Sequence, residues 1–179
     1  MEHDVSISEF LEDKRYLSVE LRPTPLGHLE IEATVNGNPA RMLVDTGAGV
    51  TVIDRARARR WAVAGEQSGE TAVAGCVGGI GSVENATLEA LKLAGLELTD
   101  VDVKIMDLSQ INDGLEKHNS QRIDGIVGSD LMVRQEAVIE YATNRLHLRR
   151  SYEAGHTRGP LLVRPRKPER GPRSHIGVR

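Results

Sequence analysis

The chain has 179 residues, 39% of them apolar and only 3% aromatic, which allows one domain with a core of Val, Leu, Ile and Ala rather than rings. Its net charge of −3 hides a division: residues 151–179 are net +5 and the remainder is net −8. The acidic body argues against nucleic-acid binding, and the lack of a long apolar run argues against a membrane-spanning helix.

Residues 1–14 read as a polar extension, with Ile7, Phe10 and Leu11 on one face of a short helix. Arg15 to Arg22 alternates as a strand, ended by Pro23 and Pro25. Leu29 to Val35 alternates strictly, Asn36-Gly37 supplies a tight hairpin turn, and Pro39 to Val44 returns. Thr51-Val52-Ile53 resumes as a strand, and Asp54 is placed to cap a short helix from Arg55 to Trp61. The stretch from Val63 to Ser82 is rich in Gly and Ala. Ala86 to Leu93 and Leu96 to Ile105 are two further strands. The polar residues 108–122 read as a loop. Ile123 to Gly128 is a short apolar strand, Ser129 to Met132 a helical turn, and Ala137 to Tyr141 with Arg145 to Leu148 a last hairpin. The body is thus a mostly antiparallel β domain over residues 15–150, followed by a basic tail of Pro, Gly and Arg at 151–179.

The single cysteine, Cys76, allows no intrachain disulfide, and the acidic N-terminus has no signal-peptide core, so a cytoplasmic location is expected. The six histidines show no short ligand spacing, and neither a metal nor another cofactor is expected.

Chemistry concentrates in Leu43-Val44-Asp45-Thr46-Gly47-Ala48. A carboxylate leaves an apolar strand and enters a turn of small residues that lets a substrate backbone come close. Thr46 is placed to bond main chain and lock the loop. Asp-Thr-Gly is also an ordinary turn sequence, because Asp and Thr bond local backbone. Gly78-Gly79-Ile80-Gly81 alone is a hairpin tip, without the Lys-Ser/Thr or the spacing of a phosphate loop. Ile126-Val127-Gly128 alone is a buried strand ending at a turn.

Taken in order, these segments resemble the retropepsin family of single-lobe aspartic peptidases. The likeness covers roughly residues 15 to 149. It implies an all-β, mainly antiparallel closed barrel with a glycine-rich flap and one or two short helices. It implies that Asp45 is catalytic, that Thr46 bonds its twin across a dimer axis and that Gly47 shapes the loop. Ala48, Gly78, Gly79, Ile80 and Gly81 would contact substrate, and Ile126, Val127 and Gly128 would support the loop from beneath. The chemistry needs two carboxylates sharing one proton, and the chain has one Asp-Thr-Gly. The expected enzyme is therefore a homodimeric endopeptidase acting on extended peptides. The alternative is a silent module that grips a peptide through the same cleft. Tethering to nucleic acid through the basic tail is a minor third reading. Substrate identity, pH optimum and interface residues are not legible at this level. Two departures stand out: the long segments 54–74 and 108–122, and chain ends that extend well beyond the first and last strands.

Overall fold

The Asn36-Gly37 turn sets the first corner of the fold. Both residues have positive φ, +46° and +82°, as a two-residue hairpin turn requires. It joins β3 (Leu29–Val35) to β4 (Asn38–Val44) in a continuous antiparallel register from Leu29↔Val44 to Val35↔Asn38. The computed structural model describes residues 6–73, 80–93 and 95–150. Cys76, Gly78, Gly79 and the basic tail lie outside them.

Before this hairpin come α1 (Ile7–Glu12), β1 (Tyr16–Glu20) and β2 (Arg22–Pro23). After it come β5 (Val52–Asp54), α2 (Arg55–Arg60), β6 (Glu66–Val73), β7 (Ile80–Leu93) and β8 (Leu96–Met106). The chain continues through α3 (Ser109–Lys117), β9 (Gly125–Val127), α4 (Ser129–Arg134), β10 (Val138–Glu140) and β11 (Arg145–Arg149). The large sheet runs β2-β3-β4-β9-β5-β8-β7-β6, and a further β3–β7 pairing closes six of these strands into a barrel. Most pairs are antiparallel, and β4–β9 and β5–β8 are parallel. A separate sheet, β1-β11-β10, lies beside the barrel.

Alternation buries Ile31, Val35 and Met42 in the main core, and along β7 it changes phase, so that Leu88 is followed by Leu91 and Leu93 as buried positions beside Ile105 of β8. Aliphatic interdigitation does the work that rings do elsewhere. A second cluster lies outside the barrel, where Leu108 and Leu115 meet Leu43, Val52, Ile123 and Ile126.

That second cluster corrects the loop expected at 108–122. Leu108, Ile111 and Leu115 recur at helical spacing, and α3 lays this stripe against the barrel. Asp107 accepts the Ser109 N–H at 2.9 Å, which lowers its pKa and holds the start of the helix. The fold thus carries four short helices among the described residues, α3 being the one whose polar sequence concealed it.

Asn112, on α3, is 2% exposed and makes both of its bonds to one residue. Its Nδ2 donates to the Ile123 carbonyl at 3.1 Å, and its Oδ1 accepts the Ile123 N–H at 2.7 Å. Replacing it by Ala orphans both main-chain groups, and each costs roughly 1–3 kcal/mol. Asn112→Ala should therefore lower unfolding free energy by about 2–4 kcal/mol in urea titrations. A loss under half of that would mean that water or a neighbour takes over.

Glu30 is a buried carboxyl in β3, with one oxygen 3.5 Å from the Arg41 guanidinium and the other without a hydrogen-bond partner. Burial pushes its pKa above the ordinary range, and the charges of Arg41 and Arg22 offset only part of that. A raised folded pKa contributes stability that is complete below the unfolded pKa and is lost as pH rises through the folded one. Glu30→Gln, which cannot ionise, should gain in thermal midpoint relative to wild type between about pH 4 and about pH 7. A relative midpoint that does not change across this range would refute the assignment.

Candidate active site

Strand β9 threads between β4 and β5, the two strands on either side of the Asp45 loop. Both ends of that loop are therefore tied to one short buried strand. Met42, Leu43 and Val44 pair with Gly125, Ile126 and Val127, and Val52 pairs with Ile126 from the other side. The Asp45 N–H donates to the Val127 carbonyl at 3.1 Å, and the Ser129 N–H donates to the Ala48 carbonyl at 2.8 Å. The segment Ile126-Val127-Gly128 thus lies directly against the Asp45 loop.

Within the loop, the Gly47 N–H donates to Asp45 Oδ1 at 2.8 Å, and the Ala48 N–H donates to the Asp45 carbonyl at 3.2 Å. Asp45 is half-buried, while Thr46 and Gly47 are exposed. The expectation that Thr46 locks the loop by bonding main chain is corrected here. Among the described residues its hydroxyl makes no such bond, because the Asp45 carboxylate already takes the Gly47 N–H that would close the turn.

The support beneath the loop includes two residues that sequence reading passed over. Thr51 is fully buried. Its hydroxyl donates to Asp130 Oδ1 at 2.8 Å, and its N–H donates to Oδ2 of the same carboxylate at 2.9 Å. The same hydroxyl accepts the Gly128 N–H at 3.2 Å. Thr51 thereby joins the far end of the Asp45 loop to the β9–α4 turn, and Asp130 holds it there. The only sequence signal was an Asp at the start of a helical turn, which reads more simply as a cap. Asp54 departs from expectation in a similar way. It precedes α2 but gives its side chain no capping bond, accepting instead the buried Leu108 N–H at 3.0 Å.

A family model described as aspartyl protease matches residues 31–131, more than half of the chain. The chain belongs to this family. Its fold is that of the retropepsin-like aspartic proteases. One solved structure, a retropepsin-like aspartic protease from Rickettsia conorii, is 18% identical, with a TM-score of 0.54, and the match covers 74% of this chain and 90% of that one. The retroviral protease-like domain of Ddi1 from Leishmania major is 19% identical, with a TM-score of 0.44 over 75% of this chain and 100% of that one. EIAV protease is 20% identical, with a TM-score of 0.46 over 62% of this chain and 90% of that one. No curated protein matches by sequence.

In this aspartyl protease family member a pocket of about 160 Å³ opens over Asp45 and Thr46, walled by His28, Val44, Ile139 and Tyr141. A larger cavity of about 560 Å³ lies over β7 and β8 and reaches the loop only at Val50, with Glu66, Asp102 and Lys104 in its walls. The larger hollow contains no atom of Asp45, Thr46 or Gly47, so the smaller one marks the candidate site. Of the expected flap residues, Ile80 and Gly81 begin β7, where they pair with Val73 and Ala72 of β6. Gly78 and Gly79 fall in the segment that is not described.

Proposed function

We propose that this protein is an aspartic endopeptidase that works as a homodimer, with one Asp45 from each chain. The observation that carries the proposal is the Asp45 loop, pinned at both ends to β9 in a chain that belongs to the aspartyl protease family. One of the two carboxylates takes a proton from the attacking water while the other, protonated, donates to the developing oxyanion. Two carboxylates about 3 Å apart share one proton, which gives an acid and a base at the same pH. The pinned loop holds each at a fixed position and spares the reorganisation that a mobile carboxylate would need.

The size of the pocket also favours two chains. About 160 Å³ over Asp45 is well short of the roughly 300 Å³ at which ligand clefts begin, so the described residues of one chain do not enclose a whole cleft. The exposed Thr46 would then bond its twin across the axis. Gly78, Gly79, Ile80 and Gly81 would close over an extended peptide, with Ala48 on the floor.

The second reading, a peptide-binding module without turnover, draws on the Gly47 bond to Asp45, which an ordinary turn would also make. Digestion of a peptide library by wild type and Asp45→Ala in parallel separates the two. The peptidase reading expects cleavage by wild type alone, with specific activity falling on dilution as dimers dissociate. Equal cleavage by both proteins, or peptide binding by a monomer without any turnover, would overturn it.

A further inference from the structure

Ser18, His147 and Glu140 lie side by side across the small sheet, one on each of β1, β11 and β10. Ser18 and His147 are register partners, and Ser18 Oγ stands 2.7 Å from His147 Nδ1. The other ring nitrogen, Nε2, is 3.4 Å from Glu140 Oε2. The imidazole between them is fully buried. A carboxylate oxygen only accepts, so the ring proton belongs on Nε2 and Nδ1 takes the Ser18 O–H. The three side chains thus form one chain of hydrogen bonds across every strand of this sheet.

Burying an imidazole costs more than burying an alkyl side chain. Leucine would fill much the same volume with no polar group to satisfy, and such replacements are often neutral or stabilising. What leucine cannot do is hold Glu140, whose side chain is 13% exposed and so lies within reach of water. Neighbours on a strand point to opposite faces. Glu140 drawn to His147 on one face of β10 therefore sets where Ile139 stands on the other. Ile139 and Tyr141, which flank Glu140, both wall the pocket over Asp45 and Thr46. The Leu29 and Val44 walls of that pocket belong to β3 and β4, which the barrel ladder holds. Strand β10 has three residues and, among the described residues, pairs with β11 alone. It is the part of the wall that most needs a side-chain tether.

We infer that His147 is a positioning residue for substrate binding at the candidate site: held by Ser18, it tethers Glu140 and so fixes the β10 wall beside Asp45. The inference rests on the peptidase reading and adds to it a residue outside the pocket itself. The wall meets peptide away from the reacting carboxylate, so misplacing it costs binding rather than the chemical step.

The test compares full-length wild type, His147→Leu, His147→Gln and Ser18→Ala by peptide hydrolysis, thermal unfolding and NMR of the Ile139 methyl groups. Glutamine carries an N–H for Glu140 and an oxygen for the Ser18 hydroxyl, so it can rebuild the chain. His147→Leu should keep or exceed the wild-type thermal midpoint, raise KM about tenfold with kcat within about twofold, and shift the Ile139 resonances. His147→Gln should return KM to within about threefold of wild type and restore those resonances. Ser18→Ala leaves the imidazole with one partner and should raise KM by less than His147→Leu does; it decides the matter if His147→Leu does not fold. A histidine that only stabilises the sheet would give the reverse, a lower midpoint with KM unchanged in the folded fraction. That result, or a rise in KM that glutamine does not repair, would refute the assignment. If cleavage depends on Asp45 while His147→Leu and Ser18→Ala keep the wild-type KM, the tether fails and the peptidase reading stands. If wild type cuts no peptide, both fail.

Discussion

Asp45→Asn is expected to fold as wild type does and to hydrolyse peptides about 10⁴-fold more slowly. Asparagine keeps the shape of the side chain and an oxygen to accept the Gly47 N–H, so the turn closed at 2.8 Å survives. What it loses is the ability to take or give a proton, and it loses this in both halves of the pair at once. An unchanged circular dichroism spectrum and thermal midpoint with turnover at background would meet the expectation. Turnover near the wild-type rate would remove Asp45 from the chemistry. A mixing experiment sharpens the result. If each site needs two Asp45 residues, an equal mixture that exchanges freely retains active wild-type pairs in only about one quarter of its dimers. Adding Asp45→Asn should therefore inhibit the wild type. A monomeric enzyme would be unaffected.

The fold was legible where side chains alternate and turns use residues made for positive φ. β3, its Asn36-Gly37 turn and β4 could be drawn from sequence because every second residue is apolar and the turn chemistry is local. The last hairpin, β10 with β11, was legible for the same reason. β6 and the first part of β7 were not, because Gly and Ala blur the alternation there. Helix α3 was hidden because three apolar residues among twelve polar ones look like a loop until the barrel wall they cover is known. The candidate site divided along the same line. Asp45, Thr46 and Gly47 were marked by a contiguous pattern. Thr51 and Asp130 were not, because they are 79 residues apart and only the placement of β9 between β4 and β5 brings them together. The three-residue strand β9 carries no label for its two neighbours, so the element that positions the site is the one that sequence describes least.

Gly128→Ala tests that element directly, and it should be the most damaging single methyl in the site. Gly128 has φ −90° and ψ 176°, a conformation open to any residue, so backbone strain is not the issue. Space is. A Cβ at this position would stand 2.4 Å from the Val50 carbonyl carbon, 2.5 Å from its oxygen and 2.9 Å from Asp130 Oδ1. Two of these atoms are main chain, so no rotamer relieves the clash and the Val50 segment must move. That segment joins the Asp45 loop to Thr51. Moving it stretches the Gly128 N–H bond to the Thr51 hydroxyl and the Asp130 grip on Thr51 together. Overpacking of this kind costs roughly 1–3 kcal/mol, which thermal unfolding would register. The catalytic loss should be larger than that cost implies, because a displacement of about 1 Å at a reacting group can cost about 10²-fold. Gly125→Ala is the control. Its Cβ would meet the Val52 carbonyl oxygen at 2.5 Å, one strand position removed from the loop, so it should lose stability while the folded fraction keeps more of its turnover. Turnover measured per folded molecule distinguishes the two. If Gly128→Ala loses no more of it than Gly125→Ala does, the β9–α4 turn stabilises the barrel without positioning Asp45.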